Sequence, residues 1–465
     1  MAHINYHLGG GLQPEQIQRI HQEALRLVER VGLQVAHAPT LRRIAGQQGV
    51  LIEGERVRFR PDLVARAMAA VHYPAQIVDR DFSIISGAYE LHVTDLESGA
   101  IRSATLRDLV DLTKLAQSYG MYGSAPVRPL DLPPLLQELA FYKVSWEYSD
   151  RRPGAIFDAN PVSSARAAGY VYEMAQAAGQ AYSLGLWIVS PFVATTENLE
   201  IIEAMHGRGL PLWVATMPVA GTTAPIFLPG AYVQSVAELL AGLTLIYLLA
   251  EGAPIYYSVI DSIRAYPFDM RYAAFVYGSP EDLLATLIQI QLNAFYGIPV
   301  VAKSLLTTAK LPDAHAAAEK SAHTLAAALL GARIFTNAGL LAVDDIYSAE
   351  QVVIDYEIVQ YVRRVCQGFE FDEEALAIAA IEEVGPGGNF LGHDTTLQNY
   401  RAATWDPALF THSTLQQWQG KGGPELANRA RQIARQRIAG QDYMLPPEKR
   451  RDLDAIYHRA QRECE

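Results

Sequence analysis

Cysteine is scarce in this chain of 465 residues: Cys366 and Cys464 are the only two. Two thiols cannot build the disulfide framework of a small secreted domain or the thiolate cluster of a structural zinc site, so a reducing cytoplasm is the expected compartment. Positive charge is also short, with 38 Lys and Arg against 50 Asp and Glu and a formal net charge of -12. Nucleic acid requires a basic face that displaces counterions, so no nucleic-acid partner is expected. Long apolar runs are missing too. The longest, Leu239 to Ala250, is bracketed by Glu238 and Glu251 and falls short of the roughly 20 residues of a membrane span, which predicts a buried helix and no membrane insertion. The N-terminus, Met1-Ala2-His3-Ile4-Asn5, lacks the charged and then apolar order of a signal peptide. His315 and His323 lie more than two helical turns apart and form no metal-binding pair, so no tightly bound metal is expected. P-loop, nucleophile-elbow and kinase signatures are absent as well.

What is present is apolar bulk, 50% of the residues, enough for a large core with a smaller appended unit. The acidic balance suits a cationic substrate. After Pro14, Ile17, Ile20, Ala24, Leu27, Val28 and Val31 share one helical face, and Gly32 follows where such a helix ends. From about Val50 to Ser103 the pattern is short and alternating, as in Ala88 to Val93, which predicts a small β-containing cap. Beyond Leu106, strand and helix alternate. Strands are expected near Tyr122 to Ser124, Ala155 to Phe157, Ser183 to Ile188, Leu212 to Ala215, Ile255 to Val259, Phe275 to Tyr277, Val300 to Ala302 and Arg333 to Thr336, with long helices between most of them. Such an α/β chain predicts a (β/α)8 TIM barrel, because parallel strands require crossovers and eight close around a side-chain-filled core. The expected organisation is an N-terminal helix plus small α/β cap over 1–105, the barrel over 106–370, and a helical C-terminal extension with a Gly-rich loop over 371–465.

In that architecture chemistry sits at the C-terminal ends of the strands. Trp187, Trp213, Tyr256, Tyr257, Tyr277 and Phe335 gather there and are the candidate substrate-binding rings. A ring face attracts a quaternary ammonium by roughly 0.5 to 2 kcal/mol, and several rings enclose it. Barrel packing accounts for any one of these aromatics; a cage needs at least two. Carboxylates gather in the same loops: Asp261 and Asp269 after the fifth strand, Asp313 and Glu319 after the seventh, Asp344 and Asp345 after the eighth. One beside the rings would add Coulomb attraction. Asp313, following Pro312, is placed to cap a helix; Asp269, Asp261 and Glu319 are the pocket candidates. His315 and His393 either hydrogen-bond a substrate or serve the fold.

The densest glycine run, Gly385-Pro386-Gly387-Gly388-Asn389-Phe390-Leu391-Gly392-His393, calls for a backbone reason, because glycine reaches positive φ freely and lets another molecule approach the main chain. It follows the acidic stretch Glu382-Glu383-Val384 instead of a strand, so it is no dinucleotide fingerprint. Together with Ala215-Thr216-Met217-Pro218, with Asp269-Met270-Arg271 before Gly278-Ser279-Pro280-Glu281, and with Lys310-Leu311-Pro312-Asp313-Ala314-His315 closing in Glu319-Lys320, this run resembles the trimethylamine methyltransferase family over nearly the whole chain. Members of that family pass a methyl group from a methylated amine to a corrinoid carried on a partner protein. The chain departs from the family pattern at His315, where Gln is usual, and at Thr395, where a second His is usual. No position is pyrrolysine, which resembles the members acting on quaternary amines such as betaines.

The resemblance implies a corrinoid-dependent amine methyltransferase that moves a methyl group from a betaine-like quaternary amine to Co(I) of cobalamin on a corrinoid protein. It implies catalytic roles for Asp269, His315 and His393, and contact of Gly387, Gly388, Asn389 and His393 with the corrin. A strong nucleophile that takes methyl from a quaternary ammonium releases a neutral amine, so no general acid is required; orientation and partial desolvation suffice. The departures at His315 and Thr395 leave open a non-catalytic methylated-amine-binding module of the same fold. A metal-independent barrel lyase using Asp269 and His315 is the other alternative. A homo-oligomer is an expectation for a large barrel.

Overall fold

A computed structural model describes residues 2–4, 6, 8–72, 81–122, 126–151, 162–258, 263–298 and 301–464. The fold is α/β. Its largest sheet orders eight strands as Val50–Glu53, Arg56–Phe59, Leu33–Val35, Val193–Ala194, Leu184–Val189, Leu212–Thr216, Ile255–Tyr257 and Val71–His72. From Leu184–Val189 onward the pairing is parallel, with Leu212 opposite both Leu184 and Ile255. A second parallel sheet joins Val301–Ala302, Ile334–Ala338 and Ser83–Ser86, and Ile85 bridges onward to Tyr122.

The expected long helices form where the apolar period placed them. Helix Leu228–Leu249 contains the longest apolar run and is buried on nearly all sides, as a helix without a polar face must be. It lies so close to the first sheet that a Cβ on Gly242 would come within 2.6 Å of Val214. Helix Pro14–Arg30 packs along its other side through Ile20, Ala24 and Val28.

Two expectations are corrected. Phe275 to Tyr277 is no barrel strand: Phe268–Asp269 and Ala274–Phe275 form a short antiparallel hairpin, closed by a turn in which Asp269 accepts the Arg271 backbone N–H and Ala273 takes φ 50°. A strand that sequence assigned to the cap, Ser83–Ser86, pairs instead with Ile334–Ala338. Strand Leu33–Val35, which the sequence pattern did not mark, is in the large sheet. The candidate strand at Ala155 to Phe157 lies outside the described residues, as do Gly123 and Ser124.

The C-terminal part folds back onto the rest. Phe369–Phe371 pairs with Ala2–Ile4, and helices Leu426–Gly440 and Pro447–Arg462 pack on Ala349–Cys366 and on Ala165–Ala178 respectively. The helices Ile378–Val384 and Asp394–Ala403 between them are largely exposed.

Candidate active site

Strand register decides which side chains share a side. Trp213 lies opposite Gly185 and Tyr256, and Trp187 lies opposite Ala215, so these five point one way. Ile188 and Val214 point the other way, toward Gly242 of helix Leu228–Leu249. Gly185 leaves room for the Trp213 indole, which a Cβ there would meet at 2.4 Å. Trp187, one layer nearer the C-terminal strand ends, packs edge-on against Trp213 at 6.2 Å between ring centroids.

At that level lies a cavity of about 120 Å³. Trp187, Met217, Tyr266, Tyr277, Leu306 and Ile85 give it aromatic and apolar walls, while Glu90, Lys303, Thr336, Asn337 and Asp344 bring polar groups. Its lining therefore comes from both parallel sheets and their loops. Tyr266 is fixed by a parallel bridge to Val219 and by the buried Arg264, whose guanidinium lies 5.2 Å from its ring. Arg264 is fully buried and ion-paired with Asp282 at 2.5 Å; Asp282 also accepts the Gly278 N–H at 3.0 Å, which pins the turn carrying Tyr277. Tyr277 stacks on Phe275 at 5.3 Å.

The electrostatics are mixed. Lys303 donates to the Tyr266 hydroxyl at 2.9 Å and is 8% exposed. Burial pushes the Glu90 carboxyl well above the usual carboxylate range, and the negative fields of Asp344 and Asp345 add to the rise. Asp344 is pushed up by its crowded surroundings and opposed by Lys303, but it keeps contact with solvent at the cavity rim, so the large effect belongs to Glu90. The Trp187 indole N–H is buried with no hydrogen-bond partner among the described residues. A buried donor without a partner is a costly arrangement. The cavity can thus enclose a small cation between rings and carboxylates and bring Lys303 toward an anionic group.

Residues 7–465 match the trimethylamine methyltransferase (MTTB) family. The chain belongs to this family. It is 26% identical over 464 residues to the glycine betaine methyltransferase of Desulfitobacterium hafniense (strain Y51), covering 96% of this chain and 95% of that protein. It is 34% identical over 248 residues to trimethylamine methyltransferase MttB1 of Methanosarcina mazei, covering 53% of this chain and 49% of that one. The crystal structure of Methanosarcina barkeri monomethylamine methyltransferase aligns over 93% of this chain and 89% of that chain, with a TM-score of 0.45 and 10% identity.

Of the residues singled out from sequence in this trimethylamine methyltransferase family member, Trp187 and Tyr277 line the cavity. Trp213 fills the layer beneath, and Tyr256 stands beside it in register; neither lines the cavity. Tyr257 points to the opposite side of the sheet from Tyr256, where burial raises its phenol to about 12. Phe335 faces away from the cavity, edge-on to Phe82 at 4.9 Å. Asp261 lies outside the described residues. Asp269 is in a separate open cleft of about 380 Å³, and its Arg271 partner at 2.6 Å holds its carboxyl below the usual range. Glu319 accepts from the Thr307 hydroxyl and Thr308 N–H, tying down the loop after Val301–Ala302, and meets the exposed His315 at 2.9 Å. Asp269 and His315 share no cavity among the described residues. Asp313 caps helix Ala314–Leu329 as expected, accepting from His315 N–H at 2.9 Å and Ala316 N–H at 3.3 Å.

In the glycine run, Gly385 and Gly387 take positive φ of 63° and 81°. A Cβ on Gly388 would sit 2.4 Å from the Val384 carbonyl oxygen, whereas nothing lies within 4 Å at Gly387. Asn389 accepts the Leu391 N–H at 3.1 Å, and His393 is the N-cap of Asp394–Ala403, its Nδ1 accepting from Thr395 N–H at 3.2 Å. None of these residues lines the cavity. Sequence reasoning missed Glu90, Lys303 and Tyr266. Lys303 directly follows the expected strand Val300 to Ala302 and so had a positional signal; Glu90 was hidden in a stretch assigned to the cap.

Proposed function

We propose that this family member removes a methyl group from a betaine-like quaternary amine and delivers it to a corrinoid carried by a partner protein. The observation that carries the reading is one cavity combining Trp187, Tyr266 and Tyr277 with Glu90 and Asp344 on one hand and with Lys303 on the other. The rings and carboxylates receive a trimethylammonium head, and the donors receive a carboxylate tail. Enclosure strips water from the cation and fixes its orientation, and the departing amine is neutral, so the reaction requires no general acid. The similarity to a glycine betaine methyltransferase over 96% of the chain supports the same substrate class.

Our reading of the architecture is that the two parallel sheets are parts of one closed barrel, built in part from strands other than the expected eight; a cavity lined from both supports it. At Gly387, as at Gly392, no atom lies within 4 Å of where a Cβ would be, which leaves room for a flat ring, while Gly388 and His393 are accounted for by contacts within the chain. A corrinoid bound there would supply a Co(I) nucleophile that accepts the methyl group. The test is incubation of the protein with reduced cobalamin, free and on corrinoid protein, and a panel of betaines and methylamines. Methylcobalamin formation with a betaine is the expected result; no methylation across the panel removes the proposal.

A further inference from the structure

We propose that the segment from Asn337 to Asp345 is a strained presenter that holds Asp344 at the cavity rim, with the buried Lys320–Asp355 pair as its brace. The identity of the ligand that Asp344 meets rests on the methyltransferase reading above. From the end of strand Ile334–Ala338 onward, three residues other than glycine occupy the left-handed region: Asn337 at φ 74°, Ala342 at 54° and Val343 at 78°. A β-branched valine tolerates that region least, and such conformations persist only where the surroundings over-determine them.

Here they do. Val343 N–H donates to the Thr307 carbonyl at 2.9 Å and Ala342 N–H to the Ala309 carbonyl at 2.6 Å. Leu340–Leu341 pairs with Ile346–Tyr347, and the Tyr347 hydroxyl lies 2.8 Å from Ser86 Oγ. Beneath the turn, Asp355 accepts the Gly339 N–H at 2.8 Å while Lys320 donates to Asp355 and to the Leu340 carbonyl, both at 2.8 Å. Lys320 and Asp355 are fully buried. Replacing a buried ion pair by apolar groups is commonly neutral for stability, so stability alone does not account for this one. What it fixes is a turn whose two ends, Asn337 and Asp344, both line the cavity that holds Glu90. Lys320 and Asp355 act through the loop and are positioning residues.

Val343→Gly relieves the strain without altering the cavity wall. We expect its melting temperature to hold or rise while affinity for the best betaine falls roughly three- to tenfold, the size set by the strain released. Asp344→Asn should lose at least as much. Lys320→Met/Asp355→Asn removes both charges together, strands neither, and should fold with a similar loss. Opposite movement of stability and affinity in Val343→Gly supports the presenter; unchanged affinity, or stability and affinity falling together, overturns it. If the wild type binds no methylated amine, the methyltransferase reading fails by itself. The presenter is then read from the pH titration of Trp187 fluorescence, taken as wild type minus Trp187→Phe. A midpoint displaced by Val343→Gly supports it, and an identical titration overturns it.

Discussion

At the scale of single residues, Trp187 has two functions to separate. Its ring belongs to the cavity wall, and its buried N–H lacks a partner among the described residues. Trp187→Phe keeps a ring face and deletes the donor. Calorimetry with a betaine and with tetramethylammonium should show the betaine losing about tenfold more, since a hydrogen bond to a charged group contributes about 1.5 kcal/mol or more. Equal losses for both ligands would remove the indole N–H from anion recognition. Glu90 makes a second prediction. Its carboxyl ionises well above the usual range because it is buried, and only the ionised form attracts a cation. Amine affinity should therefore weaken as pH falls, beginning above the pH at which an ordinary glutamate protonates. Glu90→Gln should lower affinity at high pH and flatten the profile; a Glu90→Gln profile as steep as wild type would place the titration elsewhere.

At the scale of elements, the glycine run illustrates how one motif divides between fold and surface. His393 caps helix Asp394–Ala403 through Thr395 N–H. Losing an N-cap costs about 1 kcal/mol, and asparagine caps as well as serine does. His393→Ala should thus lower the melting temperature slightly, and His393→Asn should restore both stability and methyl transfer. If His393→Asn is as stable as wild type yet transfers no methyl group, the imidazole itself contacts the reacting partner. The helix Ala314–Leu329 was legible in the same local way: Pro312-Asp313 announced its start, and Asp313 caps it. By contrast, Phe275 to Tyr277 has the apolar residues of a strand, but the Asp269 side chain captures the Arg271 N–H and turns the chain, so that Phe275 ends a short hairpin.

At the scale of the whole molecule, buried polar groups should show in the pH dependence of folding. His323 is fully buried between Asp282 and Thr286, its Nε2 lying 2.7 Å from the Thr286 hydroxyl, and burial lowers its pKa to about 4. The folded state then binds fewer protons than the unfolded state, whose imidazole titrates near 6.5. This group's contribution is intact above the unfolded value, declines as pH falls through it, and reaches its full loss near the folded value. The loss is at most about 3.5 kcal/mol, from about 1.4 kcal/mol per pKa unit. Urea unfolding of wild type and His323→Gln at neutral and mildly acidic pH should show the wild type losing more on acidification. Equal losses would assign the acid sensitivity to other groups.

Local physics made much of this chain legible. A long apolar run located helix Leu228–Leu249, and short apolar runs located Leu184–Val189, Leu212–Thr216 and Ile334–Ala338, because those patterns are written in consecutive residues. Motif resemblance pointed to the family that residues 7–465 match. Tertiary structure alone decided the cavity. Whether Trp187, Tyr257 or Phe335 faces it depends on register, and one residue of offset turns a strand side chain to the other face. Glu90, Lys303 and Asp344 meet only because Ser83–Ser86, Val301–Ala302 and Ile334–Ala338 pair across long stretches of chain, a choice set by long-range packing that no local period records.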